Sequence, residues 1–370
     1  MALSGLLIHI KKASRFPLFS FFFLLTFIAQ AQNTTNKGKD FWLGYGNHVS
    51  GFGPMSQRMV VYITSDVDTK GNVEIPGLGV NIPFTVTANT IRQVDIPQAA
   101  YLNGEGKINT GIHVTAEKAI VVYAHIYNAS VSGATLVLPT TTLGKDYYSI
   151  NYTQVSNQPN SYSYFFVVAV EDNTEVEITP SVNTLGAPGQ PIWQAGTTRI
   201  IRLNRGEVYQ VLGALTSLNE GNRISGGDLT GSRIRSVSTS SESCKPIAVF
   251  SGSGKISIGC DNAPSPGSAD NLFQQAYPTA SWGKRFITTP LKSRDYDIYR
   301  IVKSDPQAVV KLNGGTLGPS LFVNDFYYEF SGREPNVIES DKPIQVIQYA
   351  VTQGKTMECG AAVDLGDPEM

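Results

Sequence analysis

The sequence predicts an all-β protein made of three repeated antiparallel units, and four observations predict it. Short runs of valine, isoleucine, tyrosine and phenylalanine alternate with serine, threonine, asparagine and glycine along most of the chain. Thirty-five glycines against only 16% charged residues suit many short strands joined by tight turns. Beyond residue 31 no run keeps apolar side chains at i, i+3 and i+4 over three turns, the pattern of a helix laid on a core. Finally, Pro139-Thr140-Thr141-Thr142-Leu143-Gly144-Lys145-Asp146-Tyr147 matches Pro278-Thr279-Ala280-Ser281-Trp282-Gly283-Lys284-Arg285-Phe286 without a gap.

The elements follow in the same order in each unit. A shorter form of the block, Gly38-Lys39-Asp40-Phe41-Trp42, begins the first. A first strand comes next, as Met59-Val60-Val61-Tyr62-Ile63, Tyr164-Phe165-Phe166-Val167-Val168-Ala169-Val170 or Ile298-Tyr299-Arg300-Ile301-Val302. A turn leads to Gly71-Asn72-Val73-Glu74-Ile75, Asn173-Thr174-Glu175-Val176-Glu177-Ile178 or Ala308-Val309-Val310-Lys311-Leu312. The alternation in Val176-Glu177-Ile178 predicts a strand with one wet face. Each unit closes on a Lys-x-Ile strand that begins at Lys118, Lys245 or Lys342. The proline of Lys-Pro-Ile suits the first residue of a strand, where no ladder donor is lost. The units run over 32–138, 139–277 and 278–370, and roughly 90–140 residues each is too long for a solenoid period. They are expected as sandwich-like β units, in tandem or packed as one pseudo-symmetric assembly. Gly38, Gly144 and Gly283 are expected at equivalent positions, each serving a positive-φ turn or a close backbone approach. Phe41, Tyr147 and Phe286 are expected to point into the core of their own unit.

Residues 1–31 predict export. Lys11, Lys12 and Arg15 precede an apolar run from Phe16 to Ile28, and Ala29-Gln30-Ala31 supplies the small residues of a cleavage site. About a dozen apolar residues are too few to span the hydrocarbon core comfortably, so a cleaved signal is expected rather than an anchor. No later stretch has membrane-spanning length. Removing the three basic residues shifts the net charge from −1 to −4 and leaves no basic stripe for nucleic acid. In an oxidising compartment the three cysteines are expected to pair once. The spacing predicts Cys244–Cys260, one of three possible pairings, with Cys359 free or paired to another molecule. The chain stops at Gly366-Asp367-Pro368-Glu369-Met370 without a sorting tail, so the natural protein is expected to continue.

Several segments together resemble the IgG-Fc-binding protein N-terminal domain family. They are Gly38-Lys39-Asp40-Phe41-Trp42, Ile75-Pro76-Gly77-Leu78-Gly79, Lys245-Pro246-Ile247-Ala248-Val249-Phe250-Ser251-Gly252, and Asp270-Asn271-Leu272-Phe273-Gln274-Gln275 running into Trp282-Gly283-Lys284. The resemblance covers about residues 37 to 370. It implies a non-enzymatic extracellular module, of the kind found in animal mucus proteins and in secreted proteins of Bacteroidetes-like bacteria. Nothing here resembles the cysteine-rich domains of the mucus protein, so antibody binding is not carried over.

Chemistry-bearing patterns are sparse. His48, His113 and His125 have no cysteine or carboxylate at a zinc spacing beside them. Ser251-Gly252-Ser253-Gly254 is out of register with a nucleophile elbow and reads as a turn. Asp66-Val67-Asp68-Thr69-Lys70-Gly71 has the alternating carboxylates of a calcium loop, but Lys70 stands at a ligand position and no closing glutamate follows. A hairpin turn explains it. Asp295 and Asp297 share a strand face, which the neighbouring Arg294 and Arg300 mark as a solvated charged face rather than a glycosidase pair. Tyr123, Tyr127, Tyr147, Tyr148, Tyr162 and Tyr164 are either a ligand platform or cross-strand packing. Asn33, Asn128 and Asn151 carry glycosylation acceptor patterns.

The expected function is adhesion or recognition by a secreted or cell-surface protein, with an extracellular protein or glycan as partner and no cofactor, metal or catalytic residue. Two alternatives remain: an exported carbohydrate-active or peptidase-like hydrolase, and a structural spacer that holds an adhesive C-terminal domain.

Overall fold

Alternation and continuous apolar runs lead to different strands. Val176-Glu177-Ile178 lies in Thr174–Thr179, where every second residue is buried. The run Tyr164–Val170 supplies Ser163–Ala169, buried at all seven positions. Strands buried on both faces need both faces apolar, and this one lies between two cores. Phe165, Val167 and Ala169 pack with Tyr147 and Trp193, whereas Tyr164, Phe166 and Val168 pack with Phe41 and Phe250.

The computed structural model describes residues 35–49, 57–220, 223–239, 243–260, 269–292, 294–354, 356–361, 366–367 and 370. The signal-like segment and Asn33 lie outside them. All regular structure among the described residues is strand, apart from five single 3-10 turns. Residues 34–370 form one compact unit.

The first sheet orders Val80–Val86, Thr69–Ile75, Ile112–Tyr127, Arg58–Thr64 and Ile91–Ile96. Gly38–Leu43 and Ser132–Val137 also pair with its long strand, Ile112–Tyr127. A second sheet orders Asp270–Gln275, Ile247–Ile256, Ser163–Ala169, Val208–Leu212 and Gly106–Ile108. A third orders Arg199–Leu203, Thr174–Thr179, Arg233–Val237 and Asp146–Tyr148. The last orders Gly315–Thr316, Val310–Leu312, Asn336–Ala350, Asp297–Lys303 and Tyr327–Gly332, with Gly283–Thr288 also on Asn336–Ala350. A small ribbon of Gln154–Ser156, Arg223–Gly226 and Leu215–Glu220 completes the set. Among the described residues the paired strands run antiparallel, as at Gly38 with Ile120 and Gly283 with Ile344, and an isolated antiparallel bridge joins Gly144 to Ile247.

Neighbouring segments are knitted together. Gly106–Ile108, which lies in the chain between strands of the first sheet, pairs with Val208–Leu212 in the second. The largest core joins Phe41, Val122 and Ile126 to Tyr164, Phe250 and Phe273.

Two expectations need correction. Cys260 is bonded to Cys359, with Cα atoms 5.3 Å apart, and Cys244 is free. Cys244 and Cys260 flank the ten-residue strand Ile247–Ile256, which at about 3.3 Å per residue holds its ends roughly 30 Å apart. Sequence proximity therefore works against that pair, whereas the chain beyond Ala350 returns to Ile258, where Thr352 N–H donates to the Ile258 carbonyl. The second correction concerns Phe286. Phe41 and Tyr147 are fully buried, but Phe286 is only half-buried at the edge of a small core around Ile301, Ile338 and Ile344.

Candidate binding surface

None of the three glycines of the repeated block has a positive φ, and the first two allow close approach. A Cβ on Gly38 would fall 2.3 Å from Pro139, and one on Gly144 would fall 2.3 Å from Pro278. Tyr147 is held in the core by its hydroxyl, which accepts from Gly144 N–H at 2.7 Å and donates to the Ile247 carbonyl at 2.8 Å.

The carboxylate patterns do not converge. Asp66 pairs with Lys37 at 3.0 Å, while Asp68 accepts from Ala88 N–H at 2.8 Å. Asp295 faces Arg333 at 2.7 Å. Asp297 is fully buried and accepts from Leu291 N–H and Gln348 Nε2 at 2.7 and 2.9 Å. The solvated charged face expected around it is thus overturned, since Arg300 too is buried. Each charge is used locally for structure. Asn151 is buried and donates to the Tyr164 and Gly252 carbonyls, each at 2.7 Å, so it is closed to a glycosylating enzyme. Asn128 caps its own turn, accepting from Ser130 and Val131 N–H groups at 2.9 Å.

The histidines are also separate. His113 stacks on Trp42 with ring centroids 4.2 Å apart and lies 2.9 Å from Asp40. His48 is buried, with Nδ1 2.7 Å from the Val49 carbonyl, and burial pushes its pKa down to about 4. That depression has a consequence for stability. As pH falls from neutrality the unfolded chain, with His48 near 6.5, takes up the proton first. Stability is therefore expected to fall progressively below about pH 6.5 and to stop falling from this cause near pH 4. Urea unfolding from pH 7 to 4 should show this loss, and His48→Gln should flatten it. An unchanged slope in the variant would assign the loss elsewhere.

Of the six tyrosines considered, the structure separates core from surface. Tyr147 and Tyr164 are buried, and Tyr148 and Tyr162 are half-buried. Tyr123 and Tyr127 lie on one face of Ile112–Tyr127, because residues two apart in a strand share a side. His125 lies between them and stacks on Tyr127 at 4.5 Å. Tyr62 stands directly opposite Tyr123 on the adjoining strand, and the Arg58 guanidinium sits 5.7 Å from the Tyr127 ring. Tyr123 is 43% exposed, and Ile91, on the same face, is 72% exposed. Tyr62 and His125 were not in the sequence-based set, since grouping them requires the register between strands. Tyr62 stands an odd number of residues after Met59 and His125 an odd number after Lys118, but this puts them on one face only once the register is known.

A concavity of about 850 Å³ lies on the first sheet among Lys70, Asn72, Phe84, Arg92, Thr115 and Glu117. Gly71 lets the strands close there, since a Cβ would fall 1.9 Å from the Thr115 carbonyl oxygen. Its rim is polar, with a Lys70–Glu117 pair at 3.2 Å between two exposed side chains. Among the described residues no three His, Cys, Asp or Glu side chains are grouped to hold a metal, and no helix is long and apolar enough to cross a membrane.

In comparisons with known proteins, the family model described as IgGFc binding protein matches residues 133–370, more than half of the chain. No curated protein and no solved structure matches it.

Proposed function

Because this chain belongs to the IgGFc binding protein family, we propose that it is a non-enzymatic recognition module of an exported protein, and that it binds an extracellular protein or glycan. The reading includes removal of residues 1–31, so that the exported chain starts at Gln32; its mass checks that point. The observation that carries the binding role is the aromatic face of the exposed Tyr123 and the half-buried Tyr62, His125 and Tyr127, flanked by Arg58 and the exposed Ile91. Tyrosines fixed on a sheet offer large contact area with little entropy to lose, and with arginine they are common anchors of interfaces. All of these residues lie before residue 133, where the family match begins, so the face rests on the geometry of this chain and not on the family match.

Binding of the mature protein to arrays of extracellular proteins and glycans tests the reading. Tyr123→Ala combined with Tyr127→Ala is expected to weaken the selected ligand at least tenfold, with the thermal midpoint unchanged. Equal binding by the double variant would remove the face from the proposal. Turnover on polysaccharide or peptide panels would favour a hydrolase instead.

A further inference from the structure

Successive segments meet in one manner twice. Gly38 is covered by Pro139 and Gly144 by Pro278, each at the 2.3 Å separation that no side chain tolerates. Each proline follows a strand on the outer edge of a long strand. Ser132–Val137 runs along Ile112–Tyr127, and Asp270–Gln275 runs along Ile247–Ile256. The ring four residues after each glycine is covered as well. Trp42 is 2% exposed beneath Arg205, and Tyr148 lies against Phe326 with ring centroids 4.6 Å apart.

In the third segment the counterparts are less covered. The three atoms nearest a Cβ on Gly283 all belong to Phe286 in the same segment. Ile287, at the place of Trp42 and Tyr148, is 70% exposed. Val346 stands two residues after Ile344, as Val122 and Val249 stand after Ile120 and Ile247; those two are fully buried, but Val346 is only half-buried. Among the described residues no strand pairs with Val346–Ala350 on the side away from Asp297–Lys303. Gly283 pairs with Ile344 on that outer side, whereas Ser304 N–H donates to the Pro343 carbonyl on the inner side. Backbone groups alternate along a strand, so the half-buried Val346 and Gln348 present N–H and C=O outward. A groove of about 220 Å³ runs there between Gln345–Gln348 and Gln274–Tyr277, with Met370 touching it.

We propose that this edge is an acceptor for an extended strand that ends in proline and leads into a further unit of the same kind. The strand adds to the sheet through Val346 and Gln348, its proline seats on Gly283, and the unit behind it covers Ile287. Strand addition to an open edge takes affinity from main-chain hydrogen bonds and specificity from the side-chain positions it covers. A second copy of this chain does not supply that strand at its own start. Proline stands five residues before Gly144 and Gly283, but Asn33 stands five before Gly38. The inference rests on the repeated pairing and is independent of the tyrosine face, so its failure leaves ligand recognition untouched.

A synthetic peptide with the sequence of residues 270–283, titrated into the full chain, tests it. Saturable one-to-one binding is expected. Gly283→Ala should weaken it at least tenfold, because a Cβ there occupies the place of the proline. The same peptide N-methylated at alternate amides should not bind, and this arm needs no variant protein to fold. Absence of binding, equal binding to Gly283→Ala, or equal binding of the methylated peptide would overturn the proposal. So would edge-to-edge dimerisation, seen by sedimentation, that the peptide does not dissociate.

Discussion

Replacing Cys260 and Cys359 together with serine is expected to lower unfolding stability by about 4–5 kcal/mol, the chain-entropy value for a loop near 100 residues. The bond joins positions 99 residues apart, so it restricts the unfolded chain across nearly the whole third segment. Its native ends are already brought together by the Thr352–Ile258 hydrogen bond and by the packing of Tyr296 against Ile258 and Val351. Urea titration of the double variant against Cys244→Ser is the decisive comparison. Cys244→Ser should leave the midpoint unchanged. A loss below about 1 kcal/mol in the double variant, or an equal loss in Cys244→Ser, would contradict the Cys260–Cys359 pairing as the stabilising link.

Arg300→Met is expected to cost about 3–5 kcal/mol, the usual penalty for stranding one side of a buried ion pair. The guanidinium lies 2.8 Å from Asp228 and 2.7 Å from Glu329. It also donates to the Asn151 carbonyl at 3.0 Å and to Thr230 Oγ1 at 2.8 Å. Tyr152 and Tyr327 sandwich it, each ring centroid 4.4 Å away. Burial opposes its charge, but Asp228, the neighbouring tyrosines and Glu329 hold the guanidinium protonated. Arg300 thus ties Asp297–Lys303 to the loops at Asn151 and Asp228 of the preceding segment. Lysine cannot make the same planar set of donors, so Arg300→Lys should recover little. Asp228→Asn added to Arg300→Met should recover part of the loss, since it removes the stranded charge. A loss under about 1 kcal/mol for Arg300→Met would class the contact with exposed pairs.

Much of the candidate surface was hidden from the sequence for a specific reason. Tyr123 and Tyr127 were visible as candidates by their spacing, but Tyr62 joins them only through the register that sets it opposite Tyr123. Tyr147 and Tyr164, equally aromatic and equally β-like in context, turn inward. Arg300 looked like a member of a charged face because the local pattern Asp295, Asp297, Arg300 is polar. Its burial comes from Tyr152, Tyr327 and Tyr349, and Tyr152 lies far away in sequence.

By itself the sequence determined what depends on neighbours along the chain. Alternation at Val176-Glu177-Ile178 predicted one wet face, the run at Tyr164–Val170 made a strand buried on both sides, and the missing helical period excluded a helical fold. These follow from the two-residue period of a strand, which every strand keeps wherever it packs. The tertiary structure alone decided what depends on which strands meet. It bonded Cys260 to Cys359 rather than to Cys244, buried Asp297 and Arg300, and left Phe286 half-covered where Phe41 and Tyr147 are enclosed. Phe286 has the same local sequence signals as its counterparts. Its exposure differs because Pro139 and Pro278 cover the first two glycine sites, whereas no described residue of another segment lies nearest to Gly283.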